Sequence, residues 1–264
     1  MTKRLLTDEQ REAVAERLRQ DNMHTADEKH GIAIPRDTIY VRYGKRAIDI
    51  VISSAAIIAT IPINTLLAIV TYLDVGKPIL FRQQRAGKDG VPFTVVKFRN
   101  MTNATDEDGN LLPPEQRVTK WGKFVRRTSL DELLNFVNVL KGDMSIIGPR
   151  PLLLEYTDRY CSYHSARLAV RPGLECPPNP RLEDASGWEA HFQNDAWYAE
   201  NVSLMVDIKK FVRLVEAVFN RKASAVRGGA GRSFFMGYGP DGLAVGLGQM
   251  QDSDIEAALG ESHA

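Results

Sequence analysis

The sequence predicts an α+β fold: a compact, helix-rich core with a few short strands, a re-entrant membrane helix hairpin and amphipathic interfacial helices. Three observations carry that expectation. Residues 50–73 contain no charged side chain, and a bilayer crossing needs about 20 apolar residues. Two short segments, Ile79-Leu80-Phe81 and Phe93-Thr94-Val95-Val96-Lys97-Phe98, read as strands joined through Gly87 and Gly90. Leu204, Ile208, Phe211, Val212, Val215, Val218 and Phe219 recur at the helical period.

Composition narrows the setting. The chain has 264 residues, enough for one large domain or two small ones. Lys and Arg number 34 against 33 Asp and Glu, for a net charge of +1. No global field draws such a chain to nucleic acid, so a nucleic-acid partner is not expected and any basic function is local. Two cysteines, Cys161 and Cys176, are too few for a disulfide framework and point to a reducing compartment. The polar first 30 residues predict no signal peptide. We divide the chain into a polar N-terminal extension with a helix and linker (1–40), a hairpin (41–76), a core (77–222) and a Gly-rich C-terminal tail (223–264).

Taken in order, Thr7 and Gln10 have capping-box spacing and open a helix predicted through Arg19. Its few apolar positions read as a solvated helix, with a docking role as the alternative. Pro62 sits inside the apolar run, where it removes a helical hydrogen bond. Arg42, Lys45 and Arg46 precede the run, and Lys77, Arg82 and Arg85 follow it. Basic residues mark the cytoplasmic side, so both ends favour the same side. A hairpin broken at Pro62 meets both constraints; a kinked full span and a buried core helix are the alternatives. Asn64, close to the break, needs a partner inside the apolar layer. A helix is predicted from Ser129 through Leu140, ended by Gly142. The 204–219 stripe fits a helix lying on a membrane surface or one packed on the protein's own core. Gly228-Gly229-Ala230-Gly231 has no following Lys-Ser/Thr and reads as a flexible loop, not a P-loop.

Three groups could carry chemistry. Asp131 and Glu132 open the predicted helix just after Arg126 and Arg127. Free backbone N–H groups in a first turn favour a carboxylate or a phosphate. An ionised Asp131 beside phosphate-binding arginines could attack phosphorus, and Glu132 could bind a divalent ion. The alternative is ordinary capping, because Ser129 and Glu132 also have capping-box spacing. Arg150, held between Pro149 and Pro151, is stiffly presented for bidentate contact with phosphate, or lies in a plain surface turn. Lys97 and Arg99 share one face of a strand by alternation and could receive a diphosphate, or face solvent. The five histidines, His24, His30, His164, His191 and His263, show no paired ligand spacing.

On these residues the segment from about Lys45 to Asn220 resembles the monotopic phosphoglycosyl transferases, the bacterial sugar transferases of the small single-domain type that begin glycan assembly on a polyprenol phosphate. The resemblance rests on Lys45-Arg46-x-x-Asp49, Gln84-Arg85-x-Gly87, Lys97-Phe98-Arg99-x-Met101 and Arg126-x-x-Ser129-Leu130-Asp131-Glu132-Leu133. It continues through Asn138-Val139-Leu140-Lys141-Gly142-Asp143-Met144-Ser145, Gly148-Pro149-Arg150-Pro151 and Arg171-Pro172-Gly173. It implies a UDP-sugar donor, a polyprenol phosphate acceptor and release of UMP through a phosphosugar held on Asp131. It further implies Mg²⁺ held by Glu132, phosphate contacts from Lys97, Arg99, Arg126, Arg150 and Arg171, and a re-entrant hairpin in the bacterial inner membrane with the site on the cytoplasmic face.

The chain departs from that pattern in places. Ile61-Pro62 stands where the family has Ser-Pro, Ala86 replaces a usual proline, and residues 174–181 do not follow the usual continuation after Arg-Pro-Gly. The rewritten segment leaves the sugar open and motivates a second reading, a catalytically weak relative that binds polyprenol phosphate or partner enzymes. A third reading is a membrane-attached hydrolase of nucleotide sugars. The two terminal segments lie outside the resemblance and are expected to serve docking of pathway glycosyltransferases or homo-oligomer formation.

Overall fold

The computed structural model describes residues 6–177, 187–219 and 233–260. Helix α1 spans Asp8–His30, with the Thr7–Gln10 capping box formed in both directions. It runs past Arg19 because residues 20–30 contain no Gly or Pro to stop it; Gly31 ends it at positive φ.

Helix α2 spans Lys45–Val75 as one unbroken α-helix with Pro62 inside it. The expected split into two helices at Pro62 is therefore not seen. Local polar side chains bond within the helix on either side: the Thr60 hydroxyl donates to Ala56 O at 2.7 Å and the Thr65 hydroxyl to Ile61 O at 2.9 Å. Asn64 finds its partner here, donating to Thr60 Oγ1 at 3.2 Å. Counted from Tyr40, this is the only helix among the described residues long and apolar enough to cross a membrane.

Both ends of α2 dock on the same body. Near its start, Arg46 donates to the Val139 and Leu140 carbonyls, each at 2.6 Å. Asp49 accepts from the Ser145 hydroxyl and the Ile146 N–H, each at 3.0 Å. Near its end, Leu67 packs with Phe98 and Val125 in a buried cluster, and Thr119 donates to Asp74 at 2.6 Å. Between these anchors Val51, Ile58, Ile61 and Leu66 are exposed.

The core is held together by small sheets. Strands β1 (Leu80–Ala86) and β2 (Pro92–Phe98) form the predicted antiparallel hairpin, with Leu80 opposite Phe98. Gly87 is needed at the bend: a Cβ there would lie 2.7 Å from Val91 O. Helices α3 (Lys120–Thr128) and α4 (Asn135–Lys141) follow. Strands β3 (Ser145–Ile147) and β4 (Gly173–Glu175) then pair in parallel. Their approach depends on two facing glycines, since a Cβ on Gly173 would meet Gly148 N at 2.1 Å. The Arg-Pro-Gly and Gly-Pro-Arg-Pro motifs thus meet backbone to backbone.

Helices α5 (Gly187–Asn201) and α6 (Leu204–Phe219) complete the core. Helix α6 is inside-out. Asp207 and Lys210 are buried, while Leu204, Met205, Ile208, Phe211, Val212 and Val215 are exposed. The stripe therefore does not pack on the protein's own core; the Val218 and Phe219 side chains fall outside the described residues.

The terminal segments correct two expectations. Residues 233–260 are not simply a Gly-rich tail: strands β5 (Phe235–Tyr238) and β6 (Ala244–Gly246) form an antiparallel hairpin, and helix α7 spans Asp252–Gly260. Nor is α1 a solvated helix. Val14 and Ala15 are buried with Met236, Leu247, Met250 and Ile255, so the two ends of the chain share a small core. Gly228–Gly231 and residues 178–186, which include half of the divergent 174–181 segment, lie outside the described residues.

Candidate active site

The site forms where α3 stops. Ser129 takes a left-handed conformation at φ +56°, closing α3 rather than capping a new helix, and no side-chain cap bond is present there. The predicted Ser129–Glu132 capping box is thus absent. Leu130–Glu132 make a short 3₁₀ turn instead, before α4 begins at Asn135. A left-handed non-glycine residue costs of order 1 kcal/mol and is held by its surroundings, a pattern frequent at functional sites. Here Leu130, Leu133 and Leu134 pack against the Leu67–Phe98–Val125 cluster. The turn carrying the two carboxylates is therefore fastened to the end of α2.

Glu132 is the hub. Its Oε1 accepts from Lys97 Nζ and from Arg150 Nη2, each at 2.6 Å. Burial pushes the Glu132 carboxyl up, but the Arg150 and Lys97 cations outweigh it and hold it down to about 2. No hydrogen bond among the described residues takes Glu132 Oε2. Asp131 is buried, 5% exposed, and accepts a single side-chain hydrogen bond, from Asn100 Nδ2 at 3.1 Å. Burial, then the Glu132 charge, raises the Asp131 carboxyl above its ordinary value; Lys97 and Arg126 pull the other way.

The two cations arrive from opposite directions. Lys97 lies on β2, opposite Phe81 and one pair from the end of the β1–β2 ladder. Arg150 follows the Gly148–Gly173 contact, and its carbonyl accepts from the buried Arg167 at 2.7 Å. Arg167 is itself held by Asp195 at 3.0 Å and by the Tyr160 hydroxyl at 2.7 Å.

The geometry sorts the predicted residues. It gathers Asp131, Glu132, Lys97 and Arg150, with Arg126 close enough to act on Asp131 through its charge. Arg99 and Arg171 are not tied to the cluster. Arg99 donates to the Val75 and Gly76 carbonyls, and Arg171 to Gly142 O at 3.0 Å. Strand β2 ends at Phe98, so strand alternation does not carry Arg99 to the face of Lys97. Pro62 lies within α2, away from the carboxylates in sequence and bonded to none of them.

Two neighbours escaped sequence reasoning. Asn100 directly follows the Lys97-Phe98-Arg99 motif, and α3 can approach it because position 122 is glycine: a Cβ on Gly122 would meet Asn100 O at 2.1 Å. Arg85 is half-buried, and burial followed by the nearby Arg150 charge lowers its pKa. The Gln84-Arg85-x-Gly87 motif contained the signal for it.

Comparison with known proteins identifies the family. Residues 40–221 match the bacterial sugar transferase family, and the chain belongs to that family. Over 165 residues it is 41% identical to an uncharacterized sugar transferase, EpsL, of Bacillus subtilis, spanning 62% of this chain and 82% of the relative. It is 35% identical over 195 residues to a UDP-glucose:undecaprenyl-phosphate glucose-1-phosphate transferase of Klebsiella pneumoniae, spanning 68% of this chain and 41% of that protein. It is 33% identical over 205 residues to a UDP-N-acetylgalactosamine-undecaprenyl-phosphate N-acetylgalactosaminephosphotransferase of Aeromonas hydrophila, spanning 75% and 48%. The chain thus spans less than half the length of the last two relatives.

Proposed function

We propose that this protein transfers a phosphosugar from a UDP-sugar to a membrane polyprenol phosphate, giving polyprenol diphosphate sugar and UMP. The observation that carries the reading is a buried carboxylate, Asp131, seated beside a carboxylate that two cations already neutralise. Lys97 and Arg150 then have donors left for the diphosphate, since each spends only one on Glu132. In the first step an Asp131 oxygen bonds to the sugar-bearing phosphorus while the bond from that phosphorus to the bridging oxygen breaks, and UMP leaves. In the second, the polyprenol phosphate oxygen takes the phosphosugar and Asp131 is freed as a carboxylate.

The family's divalent ion fits this pair. Glu132 Oε2 is free for coordination, and Mg²⁺ is commonly held by one or two carboxylates together with substrate phosphates. Bound there, Mg²⁺ would offset negative charge on the diphosphate. Lys97, Arg126 and Arg150 would orient the phosphates.

Membrane attachment is supported by the exposed apolar residues of α2 and by the inside-out helix α6. A bilayer core is about 30 Å thick, so a helix crossing it leaves its ends on opposite faces. Both ends of α2 instead anchor to one body, through Arg46 and Asp49 at one end and Leu67 and Asp74 at the other. That supports a segment that enters and leaves one leaflet, with Pro62 as the point where the continuous helix would bend in the membrane and α6 lying on the surface. Basic flanks on both sides of the apolar run support the reading that this side is the cytoplasmic face of the inner membrane.

The test is UMP release by nanodisc-held protein across a set of UDP-sugars with Mg²⁺, with and without undecaprenyl phosphate. Acceptor-dependent UMP from one donor supports the transferase. UMP at full turnover without acceptor would replace it with a hydrolase, and none from folded protein with any donor would reject the activity.

A further inference from the structure

A second cluster of ligating side chains lies away from Asp131, where the ends of the chain meet the core. His30 closes α1, His164 sits in the helical turn Ser162–Ser165, and Glu189 is in the first turn of α5. One ligand atom from each lies within 4.8 Å of the others. His30 Nε2 is 3.4 Å and His164 Nε2 3.8 Å from Glu189 Oε1. Tetrahedral zinc with bonds of about 2.0 Å separates its ligand atoms by about 3.3 Å, and the two His–Glu189 separations lie close to that.

The independent sign is an orphaned atom. His164 is fully buried, and its Nε2, aimed at Glu189, has no hydrogen-bond partner. A buried ring nitrogen left unpaired is costly unless something unseen meets it. The other ring nitrogen, Nδ1, is 2.9 Å from the Tyr238 hydroxyl. With Nδ1–H donated there, Nε2 keeps its lone pair, the arrangement that metal-binding histidines use. Glu189 is oriented likewise: Oε1 accepts from Gln193 Nε2 and Oε2 from Ala244 N–H, each at 2.7 Å. His30 Nε2 also lies 3.1 Å from Gly242 O, a contact it would give up on binding the metal.

We propose that His30, His164 and Glu189, with a water molecule as fourth ligand, form a Zn²⁺ site that pins the N-terminal helix and the C-terminal hairpin to the transferase core. Its charge balance suits a dication, with one carboxylate, two imidazoles and no lysine or arginine bonded to any of the three. The site draws on α1, which lies outside the residues that match the family.

The experiment uses the full chain in detergent, stripped with EDTA and equilibrated with Zn²⁺ in excess Mg²⁺, so that the Asp131–Glu132 pair does not compete. Wild type should retain about one zinc per chain, and saturating zinc should raise its Tm by about 5 °C. His30→Ala and Glu189→Gln should each lose that zinc and the Tm response. Co²⁺ bound to wild type should give the intense visible bands of a four-coordinate site, a reading independent of whether either variant folds. Wild type that keeps no zinc and shows no such bands overturns the proposal, as does zinc retained equally by folded His30→Ala and Glu189→Gln.

Discussion

Two carboxylates in this molecule meet a lysine in a pocket, and they are closed to different degrees. Asp207 is saturated: Oδ2 accepts from Lys45 at 2.7 Å and the Tyr40 hydroxyl at 2.6 Å, and Oδ1 from the Tyr198 hydroxyl at 2.6 Å. Glu132 gathers both its cations on Oε1, and next to it Asp131 has a single side-chain donor. The first cluster has no valence to offer a ligand and fixes the start of α2 to α6. The second leaves oxygens and N–H donors unspent on a turn held by packing. A filled polar network rigidifies, whereas a partly filled one at a surface is poised to bind.

Asp131→Asn is the hardest test of that contrast. The amide keeps the shape but is not a nucleophile, so UMP release should fall by at least about a thousandfold. Thermal unfolding should barely move, since burial and Glu132 make the charge at this position unfavourable. An Asn variant with near-normal turnover would remove Asp131 as the attacking group. Asp207→Asn should behave in the opposite way. It strands Lys45, itself buried, and breaking such a pair costs about 3–5 kcal/mol. The expected result is a lower Tm with near-normal turnover per folded molecule; a large kcat loss at full stability would show that the two clusters are coupled.

The pH profile sharpens the comparison further. Asp131 must be ionised to attack, and its folded pKa is raised, so the acid limb of UMP release should lie above the ordinary aspartate value of 3.8. Glu132→Gln removes one cause of that rise and should move the limb to lower pH, besides slowing the reaction and altering its Mg²⁺ dependence. A limb that stays put or moves up would show that Glu132 does not act on Asp131. Stability has the opposite signature for the two groups. Glu132, depressed to about 2, contributes stability that is complete above its unfolded value of 4.5 and lost as pH falls toward 2. Asp131, raised, contributes stability below its unfolded value, lost as pH rises through the folded one.

Much of this was legible in the sequence because the decisive residues are near neighbours. Asp131 and Glu132 are adjacent, Arg150 is fixed by flanking prolines, and the β1–β2 hairpin announces itself through Gly87 and alternation. What stayed hidden depends on distance or on competing local signals. Ser129 and Glu132 satisfy a capping-box pattern, yet side-chain packing of Leu130, Leu133 and Leu134 favours a left-handed Ser129 and a 3₁₀ turn. Arg99 looked like a partner of Lys97 until the strand ended one residue before it. His30, His164 and Glu189 meet only because α1 folds back onto residues more than 130 positions away, a proximity no local spacing encodes. Helix α1 itself has few apolar residues, and its burial depends on a hairpin more than 200 residues downstream.

Asn100 gives the finest discrimination, because it belongs to the open cluster without being able to react. Its Nδ2 holds Asp131 Oδ2 at 3.1 Å, and its carbonyl lies against Gly122 so closely that no side chain fits between. That contact fixes the residue from behind, so the amide acts as a stop for the carboxylate. Asn100→Ala frees Asp131 to rotate and removes a donor that favours its ionised form. We expect kcat to fall about tenfold, which is about 1.4 kcal/mol, near the lower end for one hydrogen bond to a charged group. KM for the UDP-sugar should change little, because the amide touches the nucleophile and not the phosphates. Asn100→Asp is the companion variant. A third carboxylate beside Asp131 and Glu132 should push the acid limb further up, whereas Asn100→Ala should move it only slightly. If both variants instead raise KM and leave kcat alone, Asn100 contacts substrate, and the open cluster extends past the end of β2.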